Sequence, residues 1–442
     1  MSLSSNFYSG LRGIFPIDSF LIFNSGYNVI NGVHPFKDYW SITGPLLDYL
    51  QALFFSILGV NWYTYVFHAA FLNTIFSITV FYLFKSLSLN SFYSAIFALS
   101  AGILAYPSIG TPFVDHHASI FATLSISFAI LGIVKRNNKF WFISSFIIIL
   151  AFFSKQVPSA YIFIFLTIIL LSKHFFINKD NSILYFISGL IRGFSLFVFF
   201  TILCKIPLEN FFIQYILYPI SVGENRIENL NIDLKNSIFQ FKYLYLALLP
   251  SLTSILILKK KKIQTKNKQD ILIALTVIGS TLIFIYSQLM TKNQVLIFYL
   301  IPWCLGFSHY LLTKYYKKNI NNYIVIFFLI IATVKYHVRF NIEKKFMELS
   351  TADFSMSVDG QILDKSLKGL NWISPRFINN PTLEINLINQ TKNFVIKDKK
   401  NKIIITNYQI LPMITKNMNF APNKWFDDLS EPNRDNEYFE TY

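Results

Sequence analysis

Apolar stretches of near-spanning length recur along the chain, at roughly 61–84, 92–108, 117–134, 140–154, 157–172, 183–204, 241–258, 271–290, 295–313 and 322–334. A hydrocarbon core about 30 Å thick takes about 20 helical residues, so the pattern predicts about ten transmembrane helices and an all-α polytopic fold. The stretches at 140–154 and 157–172 are divided only by Ser154-Lys155-Gln156. One broken helix or a tight hairpin fits that spacing, and the hairpin fits better.

Ahead of the first long stretch the periodicity changes. Phe20, Phe23, Tyr27 and Ile30 recur at steps of three and four, with Ser19, Asn24, Asn28 and Asn31 elsewhere around the turn. This predicts an amphipathic helix too short and polar to span, suited to lying at the membrane interface and ended by Gly32. A polar connector from Val33 to Trp40 follows, and Gly44-Pro45 opens a second helix, Leu46 to Leu58, apolar except for Asp48, Gln51 and Ser56. Proline is at home in a first helical turn.

Beyond about residue 341 the apolar runs stop and turn signals multiply: Val358-Asp359-Gly360, Ser374-Pro375 and Asn379-Asn380-Pro381. A helical stretch near 381–395 and a strand from Lys402 to Thr406 predict a small C-terminal α/β extracytoplasmic domain. The expected division is thus a membrane domain over 1–340, with external loops at 18–60 and 205–240, and a small domain over 341–442.

Composition sharpens this. Only 14% of the 442 residues are charged and 53% are hydrophobic, whereas soluble domains carry about 25% charged residues. An ordinary soluble enzyme is excluded. The tail at 341–442 has 13 basic and 13 acidic residues, so the net +16 belongs wholly to residues 1–340. Basic excess within a membrane region reports topology, not nucleic-acid binding. The two cysteines, Cys204 and Cys304, suggest no disulfide framework or metal site.

Loop charge assigns the sides. Fifteen lysines and arginines, at 85, 135, 136, 139, 173, 179, 259–262, 266, 268, 314, 317 and 318, face only Asp180 and Asp270. The positive-inside rule makes that face cytoplasmic. Residues 1–60, the loop at 108–116, the 205–240 loop and the tail then lie outside, with nearly all carboxylates of the membrane region. No spanning segment occurs in the first 17 residues, so a first transmembrane helix ahead of residue 1 is expected. Arg192 falls inside an apparent span, as a snorkelling or bundle-paired cation or as a lipid-phosphate contact.

Asp18, the amphipathic helix, Gly32-x-x-Pro35-Phe36-Lys37-Asp38-Tyr39-Trp40, Gly44-Pro45 and the Gly59-Val60-Asn61 turn together resemble the first external loop of GT-C glycosyltransferases. More narrowly, they are similar to the bacterial branch related to protein O-mannosyltransferases and lipid A aminoarabinose transferase. Asp115-His116-His117 resembles a second acidic motif, Ser154-Lys155-Gln156-Val157-Pro158 an external Lys-Gln-x-Pro turn, and Pro422-Asn423-Lys424-Trp425-Phe426 part of a small extracytoplasmic domain. The pattern covers 18–172 well and the later helices only by count.

The resemblance implies an enzyme of the bacterial inner membrane, acting on the extracytoplasmic face in cell-envelope glycosylation (lipopolysaccharide or protein). It would move a sugar from a polyprenyl-phosphate carrier to a lipid, glycan or protein hydroxyl, with inversion. Asp18 matches the family's base or metal-organising carboxylate and Asp115 its second acidic position. Lys37, Lys155, Lys292 and Arg339 are outer-face cations for the departing lipid phosphate, and Asp38, Asp48 and His116 are further substrate-binding candidates. No cofactor is required by the residues themselves. A divalent cation, Mg or Mn, held by Asp18, Asp115 and a histidine such as His116, is the one the resemblance leaves open. From the residues alone, Asp18 and Asp115 also suit helix N-caps. A multi-pass lipid or sugar transporter or flippase is the alternative from another class; a polysaccharide ligase or polymerase of different membrane fold is the third.

Overall fold

A computed structural model describes residues 1–228, 230, 233–260, 265–291, 297–316, 319–398, 400, 402–416, 423–426 and 429–442. The fold is predominantly helical. In chain order come α1 (Ser2–Gly10), α2 (Pro16–Ser19), α3 (Leu21–Ile30), α4 (Leu46–Leu58), α5 (Trp62–Ser86), α6 (Ser91–Leu104), α7 (Val114–Lys135), α8 (Lys139–Ser154) and α9 (Gln156–Phe176). Then follow α10 (Ser182–Leu203), α11 (Leu208–Phe212), α12 (Tyr218–Glu228), α13 (Lys242–Lys260), α14 (Thr265–Met290), α15 (Leu300–Tyr316), α16 (Asn319–His337), α17 (Pro381–Lys397) and α18 (Leu411–Ile414).

Among the described residues each of the ten apolar stretches overlaps a helix. Among the described residues seven helices are long and apolar enough to cross a membrane: α5, α6 with the turn after it, α7, α9, α10, α14 and α16 with its continuation. Helices α8 and α13 are shorter apolar segments. Polar caps start the spans where the pattern places them: Asn61 accepts from the Thr64 amide and Asn90 from the Tyr93 amide, each at 2.9 Å. Arg136, in the left-handed region at φ 50°, ends α7.

Burial separates centre from rim. In α7, 83% of the apolar window is buried inside the protein, against 22% in α10, whose Arg192 is exposed. A helix apolar all round belongs in the middle of the bundle, and α7 packs against α5, α8, α9 and α14. The chain breaks between α8 and α9 at Lys155, which is extended at φ −158° and ψ 143°. Because the two helices pack against each other, the junction is the hairpin that the pattern favours.

The tail departs from expectation. Helix α17 lies where the helical stretch was expected, but residues 402–406 carry no regular structure. The strands among the described residues are β1 (Val358–Asp359) and β2 (Asn371–Trp372), an antiparallel pair of two residues each. Around that small pair the tail has short turns whose aspartates, Asp353, Asp359 and Asp364, accept from backbone amides two residues on. It builds its core jointly with the N-terminal segment. The Gly13 and Ile14 amides donate to the Asn371 and Ile373 carbonyls, and Trp372 stacks on Phe20 with ring centroids 5.5 Å apart.

That contact revises the role of α3. Its apolar face was expected to lie on lipid, yet Phe20 and Phe23 are fully buried against Trp62, Tyr65 and Trp372. The tail and α5 cover what the membrane was expected to cover. The helical period is as the sequence implies, but its partner is protein.

Candidate functional site

The loop segments singled out by sequence converge at one end of the bundle. Asp115 lies in the first turn of α7, whose cap position is Phe113 and carries no side-chain cap. A carboxylate there is favoured by the helix dipole, but Asp115 is not the N-cap of α7. Its Oδ1 lies 2.5 Å from Lys155 Nζ, and the two side chains are 6% and 20% exposed. Its second oxygen, Oδ2, is buried without a hydrogen-bond partner. The pair thus joins a partly exposed ammonium to a carboxylate whose second oxygen is buried without a protein partner, an arrangement that is costly unless something else satisfies that atom.

The hairpin that carries Lys155 is locked to the first loop. The Gly44 amide donates to the Ser154 carbonyl at 3.2 Å, and Gln156 Nε2 donates to the Ile42 carbonyl at 3.1 Å and to the Tyr215 carbonyl at 2.6 Å. A Cβ on Gly44 would stand 1.9 Å from the Phe153 carbonyl oxygen. Only glycine permits this approach of two backbones. Gly110 does the same before α7: its φ is +86°, and a Cβ there would stand 2.5 Å from Gly10 Cα.

Asp18 sits half-buried in the first turn of α2, and α3 is capped by Phe20, so Asp18 is not the cap of the amphipathic helix. It lies within electrostatic reach of Tyr65. The Tyr65 hydroxyl donates to the Pro112 carbonyl at 3.3 Å, three residues before Asp115. Tyr65 therefore joins the Asp18 segment to the entry of α7.

Beneath Asp115 is a buried polar chain that sequence reasoning missed. Tyr106 OH bonds His117 Nδ1, His117 Nε2 meets His68 Nε2 at 3.2 Å, and His68 Nδ1 meets Gln51 Oε1 at 2.9 Å. One proton assignment satisfies all three contacts with both imidazoles neutral: Tyr106 donates to His117, His117 to His68, and His68 to Gln51. The chain ties α4, α5 and α7 together. His68 stands mid-helix in an apolar span, and its polarity was the available signal. His116 turns away, its ring 4.9 Å from Tyr106 and 6.0 Å from Tyr299, with neither nitrogen in a hydrogen bond of good geometry.

Other candidates lie elsewhere. Asp48 is fully buried: Lys424 Nζ reaches its oxygens at 2.7 and 2.9 Å, and Ser25 Oγ donates to Oδ1 at 2.7 Å. Lys424 also donates to Thr43 Oγ1 at 2.8 Å. Burial pushes the Asp48 carboxyl up and the Lys424 ammonium down, and their mutual contact opposes both shifts. Asp48 is a tail anchor, not the solvated or substrate-facing residue expected. Lys37 and Asp38 are exposed, and Asp38 accepts from the His34 amide at 2.7 Å to close a turn. Arg339 is exposed, with its guanidinium 5.6 Å from the Phe340 ring centroid. Lys292 lies outside the described residues.

Among the described residues no three His, Cys, Asp or Glu side chains gather to hold a metal ion. The positive charge beside Asp115 is the Lys155 ammonium. Compared with protein-family models and with curated proteins, the chain matches none.

Proposed function

We propose that the chain is a membrane glycosyltransferase of the GT-C type, taking a sugar from a polyprenyl-phosphate carrier and giving it to a lipid, glycan or protein hydroxyl. The observation that supports this is the Asp115–Lys155 pair, a partly exposed ammonium held by a carboxylate with one oxygen lacking a protein partner, at the hairpin against which the Gly44 loop docks. Gly44 and Ser154 are 110 positions apart, and both segments belong to the pattern that resembles GT-C enzymes.

In the proposed reaction the acceptor oxygen attacks the anomeric carbon while the bond from that carbon to the phosphate oxygen breaks. The electron pair leaves with the polyprenyl phosphate, and the acceptor proton passes to a carboxylate. Asp18 is the proposed base. Asp115 orients Lys155, whose ammonium meets the charge growing on the departing phosphate. A single displacement of this kind inverts the anomeric centre. The proposed site faces outside the cytoplasmic membrane, in keeping with the loop charges.

The test is transfer in proteoliposomes from a lipid-linked sugar to an acceptor. Asp18→Asn is expected to lose activity by a factor of about 10² to 10⁴, the usual worth of a general base. Full transfer by Asp18→Asn would overturn the mechanism. A comparison of glycan masses between a deletion strain and its parent would identify both sugar and acceptor. Sugar movement without a covalent product would instead point to a transporter.

A further inference from the structure

A second polar cavity lies at the far end of the bundle from Asp115. It is a partly open cleft of about 420 Å³ between the ends of α5, α7 and α15 and the start of α14, with Val134 in its wall. Val134 and Asp115 belong to the same helix, and 19 residues of helical rise put them about 28 Å apart. The cavity is thus independent of the site proposed for glycosyl transfer.

Its polar wall is built around one buried carboxylate. Asp270 is 2% exposed. It accepts from Tyr310 OH at 2.7 Å, from Lys314 Nζ at 2.5 Å and from the Tyr315 hydroxyl. Lys314 donates once more, to Tyr310 OH at 2.8 Å. An ammonium has three N–H groups, and these contacts use two. The Lys314 side chain is 25% exposed and lines the cavity, so a fixed cation with a donor to spare borders it. Ser86, Ser88, Gln269 and Thr313 add neutral donors to the same wall.

The charge of the surroundings selects the ligand. Asp270 and Lys314 neutralise one another, while Lys85, Lys135 and Arg136, within two positions of wall residues Ser86 and Val134, are all exposed. An anion gains from that excess, and a phosphate accepts from several donors at once. Leu87 and Ile273 supply apolar wall beside the polar one. We propose that this cavity binds a phosphate-bearing anion, with Lys314 held by Asp270 as its positioned cation. A phospholipid headgroup and a soluble phosphate share that chemistry.

The full chain, purified in detergent, can be titrated separately with short-chain phosphatidylglycerol, short-chain phosphatidylcholine and inorganic phosphate, with the melting temperature and native mass spectrometry as readouts. Binding of phosphatidylglycerol but not phosphatidylcholine is expected, about tenfold weaker in the exposed-charge variant K85Q/K135Q/R136Q. Thr313→Trp, which fills the cavity from an exposed position, should abolish it, while Thr313→Ser should bind like the parent. Binding of inorganic phosphate with the same dependence on these variants would support the site and assign a soluble source. Absence of binding by both anions, equal binding of phosphatidylcholine, or binding indifferent to Thr313→Trp would overturn the proposal. Should Thr313→Trp fail to fold, the exposed-charge variant decides alone.

Discussion

Lys424 Nζ lies 2.7 Å from Asp48 Oδ1, with the two side chains 2% and 0% exposed. The pair joins the tail to the second helix of the first loop, and the Lys424 amide adds a bond to the Trp40 carbonyl at 2.9 Å. Removing one partner leaves a buried charge uncompensated, which costs about 3–5 kcal/mol. Lys424→Met should therefore lower the melting temperature strongly and expose the tail to protease. Asp48→Leu combined with Lys424→Met should recover much of the loss, since an apolar pair carries no desolvation cost. A double variant no more stable than Lys424→Met would contradict this account.

Gly44→Ala should be more damaging than its size suggests. Its Cβ would stand 1.9 Å from a backbone oxygen that cannot rotate away, so the loop or the hairpin must move. Overpacking of this kind costs about 1–3 kcal/mol. Transfer activity is expected to fall further than stability, because the shift separates the first loop from Lys155. Activity measured alongside the melting temperature checks the disproportion.

Asp115 and Lys155 should not behave as equal partners. Asp115→Asn keeps the shape but removes the charge that orients Lys155, and kcat for the proposed transfer is expected to drop by about 10² or more. Lys155→Gln should raise KM for the lipid-phosphate donor as well, with partial recovery in Lys155→Arg. Unchanged kinetics in both variants would confine the pair to a structural role.

Low pH should loosen the first loop through His34. Burial, then the neighbouring Lys37, lowers its pKa below the ordinary 6.5, with Asp38 opposing. Its Nδ1 meets Tyr49 OH at 3.2 Å. The folded state thus prefers the neutral ring, so the contribution is fully present above about 6.5 and is lost as pH falls through the lower folded value. The melting temperature should decline between pH 7.5 and 5, and His34→Gln should flatten part of that decline.

Trp372→Ala should release the tail from α3. The ring is fully buried and stacks on Phe20, and a truncation of this size costs about 3–5 kcal/mol. Limited proteolysis is the measurement: cleavage after residue 373 is expected to accelerate well before the spanning helices unfold.

Spanning helices are legible in the chain because their signal is local: about 20 apolar residues in a row can satisfy their backbones only as helix in lipid. The boundaries of α4 and the end of α3 near Gly32 were legible for a similar reason, since Gly44-Pro45 and Gly32 are local punctuation. What α3 packs against was not. Phe20 and Phe23 present the same pattern to a membrane surface as to Trp62 and Trp372, and the covering residue lies 352 positions away in the case of Trp372 and Phe20. The apolar run Lys402–Thr406 looked like a strand, but β structure needs a paired neighbour, and among the described residues none pairs with it.

The candidate site divides along the same line. Residue types and loop order, Asp18, Asp115 and Lys155 among them, are written in the chain, and so is the basic excess confined to residues 1–340. Which carboxylate is open and which is sealed was decided by tertiary contact alone. Asp48 and Asp115 both lie in the first turn of a helix, yet Lys424 arrives from 376 residues away to close one, while Lys155, only 40 away, leaves an oxygen of the other unpaired. Periodicity and charge act over a few turns of chain and can be read there. Pairing between distant segments depends on how the whole bundle packs, and no local pattern carries it.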